Sequence, residues 1–500
     1  MFKRTLALTL SALMLLSVLV ACGGGKGEVT TPAVTTEGAV TTLAPVETDP
    51  PETTKKLADV PEADYEGADF DIYVSGNVTY KDFTYQDTTA VLENAIYLRN
   101  ENIQDKYNVV IKVTEGFSFG NCYGAGPGYV MTRRGHTASE NDFDLSFLGT
   151  HDASTCAIQG YLENLHDVPY IDLSNPWWDQ KATEQMEMNG IMFYTTGNIS
   201  TIVDQFTFAI MFNKNIAEEH KLDLYTLVRE GKWTVDAWSE ATKLISEDVN
   251  GDDKMDHNDK YGSLVWNDAL LGVINATGGA IGTLNEEGTL ELTLYNEIND
   301  RMIAKYLETA YSDNCFNIQT ISSDRTNIRR QMFLEDRALF WLYNVGDDNN
   351  AFRNSETLEY GYLPYFKLDE EQKEYACHIQ EGACYFMCVP VMTVDMEKTG
   401  TITEAMACES YYTVKPAYFD KQLIGTYIHD EESVEMLEII FGSRLFDVGA
   451  FYQIGGYTTN LMSFFLNRRT DFASFCEQSR KVAESAIGRI NDSIKKNVLG

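Results

Sequence analysis

Short apolar runs alternate with helix-patterned stretches, and this alternation constrains the fold more than any other feature. Phe70-Asp71-Ile72-Tyr73-Val74 has a period of two and predicts a first strand. A helical stretch with Val91, Ala95, Ile96 and Leu98 follows and ends before Tyr107. Val109-Val110-Ile111-Lys112-Val113 predicts a second strand, and Phe143-Asp144-Leu145-Ser146-Phe147-Leu148 a third. Strands separated by helices imply a largely parallel sheet and the α/β class. Ligands of such sheets bind beyond the carboxyl ends of the strands, which singles out the loops after Val74, Val113 and Leu148. Residues 206–212 predict a long buried strand that ends in Asn213-Lys214-Asn215. Helices are predicted at 216–220, 224–228, 297–307, 327–335, 433–441 and 481–496. Another begins at Thr234, an N-cap with Asp236 in the first turn, and spaces Val235, Trp238, Ala241 and Leu244 along one buried face. Trp233 and Trp238 read as core.

The chain is 500 residues long, room for two or three domains. Lys3 and Arg4 precede an uncharged apolar run over 6–20, shorter than a membrane span. Leu19-Val20-Ala21-Cys22 and three glycines come next, a junction that resembles the lipobox of bacterial lipoproteins. That resemblance implies a signal peptide over 1–21 and lipidation of Cys22, with acyl chains such as palmitate holding the protein to the extracytoplasmic face of the cell membrane. Residues 22–63 predict a tether. From Gly23 to Lys56 there are nine threonines, four prolines, five glycines and no aromatic residue, a composition unable to bury a core.

With 75 acidic against 39 basic residues, the formal net charge is −36. Such a surface repels phosphate backbones, so nucleic acid is excluded as a partner, and it suits a neutral or cationic ligand. Eight cysteines follow Cys22, with no spacing that signals a metal site. Cys384 and Cys388 lie in an apolar run and read as small core residues. The seven histidines are scattered. P-loop, GxGxxG, HExxH and GxSxG signatures are missing, and an enzyme is not expected.

Residues 248–259 carry side-chain oxygens at positions 1, 3, 5, 9 and 12 of a twelve-residue loop: Asp248, Asn250, Asp252, Asp256 and Asp259. The Lys254 carbonyl stands at position 7. Calcium takes six to eight such oxygens, so a structural Ca²⁺ is expected here. Asp253 occupies position 6 in place of the usual Gly, and Asp259 resembles the twelfth residue of dockerin calcium loops. The alternative is an Asx-rich turn without metal.

Gly231-Lys232-Trp233-Thr234-Val235-Asp236-Ala237-Trp238, the acidic loop and Tyr261-Gly262 occur in that order. The series resembles the G-x-W-T-x-D, D-x-N-G-D and D-x-Y-G motifs of extracellular solute-binding proteins of ABC transporters, the carbohydrate type related to maltose-binding protein. Ile210-Met211-Phe212-Asn213-Lys214 is similar to that family's crossover strand. Met332-Phe333-Leu334-Glu335-Asp336-Arg337-Ala338-Leu339-Phe340 is similar to its F-x-x-G-x-A-x-F segment, with Asp336 at the expected Gly. Gly361-Tyr362-Leu363-Pro364-Tyr365 is similar to a later strand. The resemblance implies two α/β lobes with crossover hinge strands, one lobe from 64–205 plus 335–382 and the other from 206–334 plus 383–500. The chain would cross near 202–213 and return near 340–344.

A sugar receptor needs aromatic faces and groups that hydrogen-bond hydroxyls. Trp341, Tyr343 and Asn344 combine both at the expected return crossing. Trp266, Asn267 and Asp268 repeat the combination after Tyr261-Gly262. Asp204 beside the first crossing, Asn77 after the first strand and Trp178 complete the candidates. Packing is the alternative for each tryptophan, and Asp172, Ser174 and Pro176 place Trp177 and Trp178 on an exposed turn. The expected function is capture of a mono- or oligosaccharide by a monomer that delivers it to an ABC permease. The rivals are a peptide or polyamine receptor, a surface-anchored glycoside hydrolase and an adhesin.

Overall fold

The computed structural model describes residues 55–76, 81–116, 126–139, 142–346, 352, 355, 357–419 and 431–499. Two mixed sheets, each covered by helices, organise residues 57–500. The first sheet runs in the order Tyr385–Cys388, Leu145–Gly149, Ala68–Val74, Val109–Glu115. The three predicted strands are parallel, with Ala68 opposite Val109 and Ile72 opposite Leu145. Tyr385–Cys388 joins antiparallel, with Tyr385 opposite Gly149. Cys384 and Cys388 are fully buried there. The seven cysteines among the described residues are all buried and none is in a disulfide; Cys22 and Cys122 lie outside them.

The second sheet has the order Tyr360–Leu363, Phe208–Asn213, Ala338–Asn344, Lys260–Val265, Ser246–Glu247, with Cys315–Asn317 also on Lys260–Val265. Every residue of Phe208–Asn213 is buried, as a strand covered on both faces requires. Gly262 answers to close backbone approach, because a Cβ on it would meet the Thr242 carbonyl oxygen at 2.0 Å. Asp336, at the expected glycine, has φ 53°, and its carboxylate accepts from Asn213 Nδ2 at 2.6 Å. The backbone shape the family motif demands is therefore kept by an Asp that gains a partner.

The predicted helices are found as Lys214–Glu219, Leu224–Arg229, Val235–Lys243, Glu297–Ala310, Arg325–Leu334, Glu431–Gly442 and Phe472–Leu499. Thr234 caps as read, accepting from the Ala237 N–H. Trp233 and Trp238 are fully buried, with Trp238 stacked on Tyr306 at 5.3 Å and on Phe366 at 5.1 Å. Ala58, Val60 and Ala63 already pack on the core, so the chain is in contact with the folded body ahead of the expected tether end at 63.

Sheet membership differs from the expected lobe division. Ala338–Asn344 pairs with Phe208–Asn213 and Lys260–Val265, so it belongs wholly to the second sheet and is not a return crossing. Tyr385–Cys388 belongs to the first sheet. The chain leaves the first sheet after Thr195, which bridges Met387, and enters the second at Thr207, which bridges Ile379. It returns between Ile379 and Tyr385. Residues 338–379 therefore stand with the second lobe, and 385–388 with the first.

Candidate functional site

The strand ends deliver polar groups to the space between the lobes. Lys260–Val265 runs into Trp266-Asn267-Asp268 ahead of the helix Ala269–Asn275. The returning segment brings His378, Gln380 and Glu381, and the helix Tyr457–Leu466 brings Thr458 and Leu461. With Phe208 these residues line a small cavity. From the first lobe, Thr150 Oγ1 donates to the Glu381 carbonyl, and His151, just beyond Leu145–Gly149, is bonded to Gln453.

A buried chain of polar contacts fixes this wall. His378 Nδ1 lies 2.6 Å from Asn275 Oδ1, and Nε2 lies 3.1 Å from Glu381 Oε2. The Asn275 amide nitrogen donates to the Gly279 carbonyl at 2.9 Å and faces Asp447, which settles its oxygen toward His378. Both ring nitrogens thus face acceptors. Asp447 in turn accepts from the N–H groups of Ile281, Gly282 and Ala450. Burial pushes the Glu381 carboxyl up, but the hydrogen bond and charge of His378 outweigh it and hold the group below its ordinary value. Burial and the neighbouring Glu381 charge push Asp268 up to about 7, against a smaller pull from His378. Burial pushes His151 down to about 4.

The predicted site residues separate into four groups. Asn267 and Asp268 line the cavity, Asn267 accepting from Gln319 Nε2 at 2.5 Å. Asn344 is fully buried and donates to Gln380 Oε1 at 3.2 Å, one step behind the cavity wall. Trp266 is half-buried and meets the Tyr343 ring edge-on at 4.5 Å. Tyr343 and Trp341 are buried, and the Arg329 guanidinium sits over both rings at 4.7 and 5.1 Å. Trp341, 1% exposed, packs against Phe333 and Phe352 at 5.8 Å each, so it is a core residue of the second lobe and not a ligand face.

Trp178 and Asp204 come together in a separate depression of about 620 Å³ with Lys415 and Arg444. Asp204 is bonded to Arg444, which also reaches Asp179 at 2.8 Å. The Trp177 and Trp178 turn is not exposed: both indoles are buried and donate to Glu404 at 2.9 Å, one to each oxygen. Asn77 lies outside the described residues, as do residues 1–54 with Cys22. His378, Gln380 and Glu381 escaped the sequence reading, since isolated polar residues in an ordinary stretch give no periodic or motif signal.

The 248–259 loop adopts the turns its sequence predicts. Asp253 takes a left-handed φ of 60° at position 6, in the place of the usual glycine. Asp248, Asn250, Asp252, Asp256 and Asp259 each accept a backbone N–H from within the loop, and Lys254 donates its own to Asp252. The donor oxygens are of the hard type calcium takes. As placed, they serve the loop's own amides, and no group of three or more His, Cys, Asp or Glu side chains converges on a point among the described residues.

No protein-family model and no curated protein sequence matches the chain. Solved structures do. An ABC substrate-binding protein from Listeria monocytogenes in complex with cycloalternan superposes with a TM-score of 0.53 at 13% identity, over 86% of this chain and 99% of that one. An ABC transporter solute-binding protein from Agrobacterium radiobacter K84 in complex with ribitol gives 0.54 at 12%, over 84% and 99%. The galacto-N-biose/lacto-N-biose I-binding protein of the ABC transporter from Bifidobacterium longum, in complex with lacto-N-biose, gives 0.55 at 9%, over 87% and 98%. All three are binding proteins. Among the described residues no helix is long and apolar enough to cross a membrane. With its two sheets and its paired crossings, the chain has the two-lobe α/β fold of the ABC transporter solute-binding proteins.

Proposed function

We propose that this protein captures a mono- or oligosaccharide between its lobes and hands it to an ABC permease. The observation that carries the reading is the cavity where Asn267, Asp268 and Gln380 converge beside Phe208, past the carboxyl end of Lys260–Val265 and beside the second crossing. Amide and carboxylate oxygens suit sugar hydroxyls, and an aromatic ring suits the C–H face. The similar structures with bound cycloalternan, ribitol and lacto-N-biose support the same ligand class. Closure of the lobes would be driven by tighter contacts to the ligand in the closed form. The lipobox-like junction at Cys22 supports attachment to the outer face of the membrane.

Calorimetry against a saccharide panel tests this reading. One or more sugars should bind, and Gln380→Ala should weaken that binding at least tenfold without unfolding the protein. A panel in which only peptides or polyamines bind would replace the sugar reading. Hydrolysis is disfavoured by one contact: Glu381 is pinned to His378 and is not free to serve as the second carboxylate of a glycosidase pair. Turnover of a chromogenic glycoside would reverse that conclusion.

A further inference from the structure

The polar groups of the cavity are almost all committed to protein partners. Glu381 is paired with His378, Asn267 with Gln319 and Gln380 with Asn344. Asp268 is the exception. Its carboxylate makes no hydrogen bond and no ion pair among the described residues. Although it stands at the N-cap of Ala269–Asn275, its side chain does not cap that helix. The nearest basic side chain, His378, is engaged with Glu381. The cavity therefore keeps one carboxylate with no countercharge, an arrangement that costs free energy until a partner arrives.

We propose that the ligand presents a protonated amino group to Asp268, which makes it an amino sugar and not a neutral saccharide. This inference rests on the sugar-capture reading and narrows it. A hydroxyl could donate one hydrogen bond to Asp268 but would leave the charge unbalanced. An ammonium group supplies donors and charge together, and a charge-assisted hydrogen bond is roughly twice as strong as a neutral one. The acidic surface, at a formal −36, also concentrates cations near the opening. The position of Asp268 near the middle of the pH scale agrees with a group awaiting its countercharge. The titratable groups coupled to it are Glu381 and His378 on the returning segment and Tyr365, a buried hydroxyl held well above its ordinary value. Phe208, Thr458 and Leu461, from the other elements of the wall, do not titrate.

The test uses pairs of sugars that differ only at one carbon: glucosamine and glucose, galactosamine and galactose, and the β-1,4 glucosamine disaccharide and cellobiose. Affinities are measured by calorimetry on the wild-type protein and on Asp268→Asn. In at least one pair the amino form should bind at least tenfold tighter than its parent. Asp268→Asn should remove that preference, so that both members of the pair bind within about threefold of each other, and a retained cooperative melting transition is the control for folding. The amino-sugar affinity of the wild type should also rise from pH 5 to pH 7, as the carboxylate ionises. Equal binding of both members of each pair, or a preference that survives Asp268→Asn, overturns the proposal and leaves sugar capture standing. Binding of peptides or spermidine alone overturns both.

Discussion

Asp336 and Asn213 lock together two strands that never touch in sequence: the carboxylate accepts the amide N–H at 2.6 Å, across the start of Ala338–Asn344 and the end of Phe208–Asn213. The same carboxylate also accepts from Asn215 at 3.2 Å. Asp336 pays a backbone cost for this, since its φ of 53° suits glycine. Asp336→Gly should relieve the backbone by up to about 1 kcal/mol and lose hydrogen bonds worth about 1–3 kcal/mol, for a small net destabilisation. Asp336→Ala keeps the strain and loses the bonds, so it should be the less stable of the two. Urea titrations of both variants check the order; an alanine variant as stable as the glycine one would refute it.

Trp341 separates stability from binding. It lies inside the aromatic cluster of the second lobe, so Trp341→Ala should cost about 3–5 kcal/mol through the void it leaves. Differential scanning calorimetry should show a clear fall in Tm. Ligand affinity measured well below that Tm should stay within a few-fold of wild type. A variant with unchanged Tm and lost binding would return Trp341 to the ligand face.

The pair His378–Glu381 makes stability depend on acidity in a defined direction. The folded-state carboxyl of Glu381 is held below its ordinary 4.5. A group depressed in this way stabilises the fold above its unfolded value, and the contribution is lost as pH falls through the folded value. Glu381→Gln removes one partner of a buried pair, at a cost of about 3 kcal/mol. Its Tm deficit should be full at pH 7 and should shrink as the pH falls below 4.5, where the wild type loses the same contribution. A deficit that does not vary with pH would show that the carboxylate charge is not what holds this wall.

The 248–259 loop yields to a simple comparison. We propose that calcium draws its oxygens away from the loop amides and around one ion. Millimolar calcium should then raise Tm in the wild type but not in Asp248→Asn or Asp259→Asn, because ligand bound only to the folded state stabilises it. An unchanged Tm would leave the loop as a self-satisfied Asx turn.

What could be read from the residues follows the range of the forces involved. Strand and helix positions were legible because their signal is local: the period-two run at 70–74 and the Thr234 cap both lie within a few residues. Trp233 and Trp238 were legible as core because they sit on an amphipathic helix and its approach. The lobe to which Ala338–Asn344 belongs was not, because an all-apolar strand fits the middle of either sheet and only distant pairing decides. Asn267 and Asp268 were found because they follow a recognisable strand. Their companions His378, Gln380 and Glu381 come from the start of the second crossing, 110 or more positions away, where no local pattern marks them.

The two chain passages between the sheets run side by side, joined where Thr207 meets Ile379 and where Gln380 N–H donates to the Phe206 carbonyl at 3.0 Å. A strap two strands wide bends easily across its thin direction and resists both sliding and twisting. The mouth can therefore gape along a single arc, like a purse with one spine, and a solute must come in from the side opposite that spine. The two halves would then part by a change of angle and not by a sideways shift of one over the other.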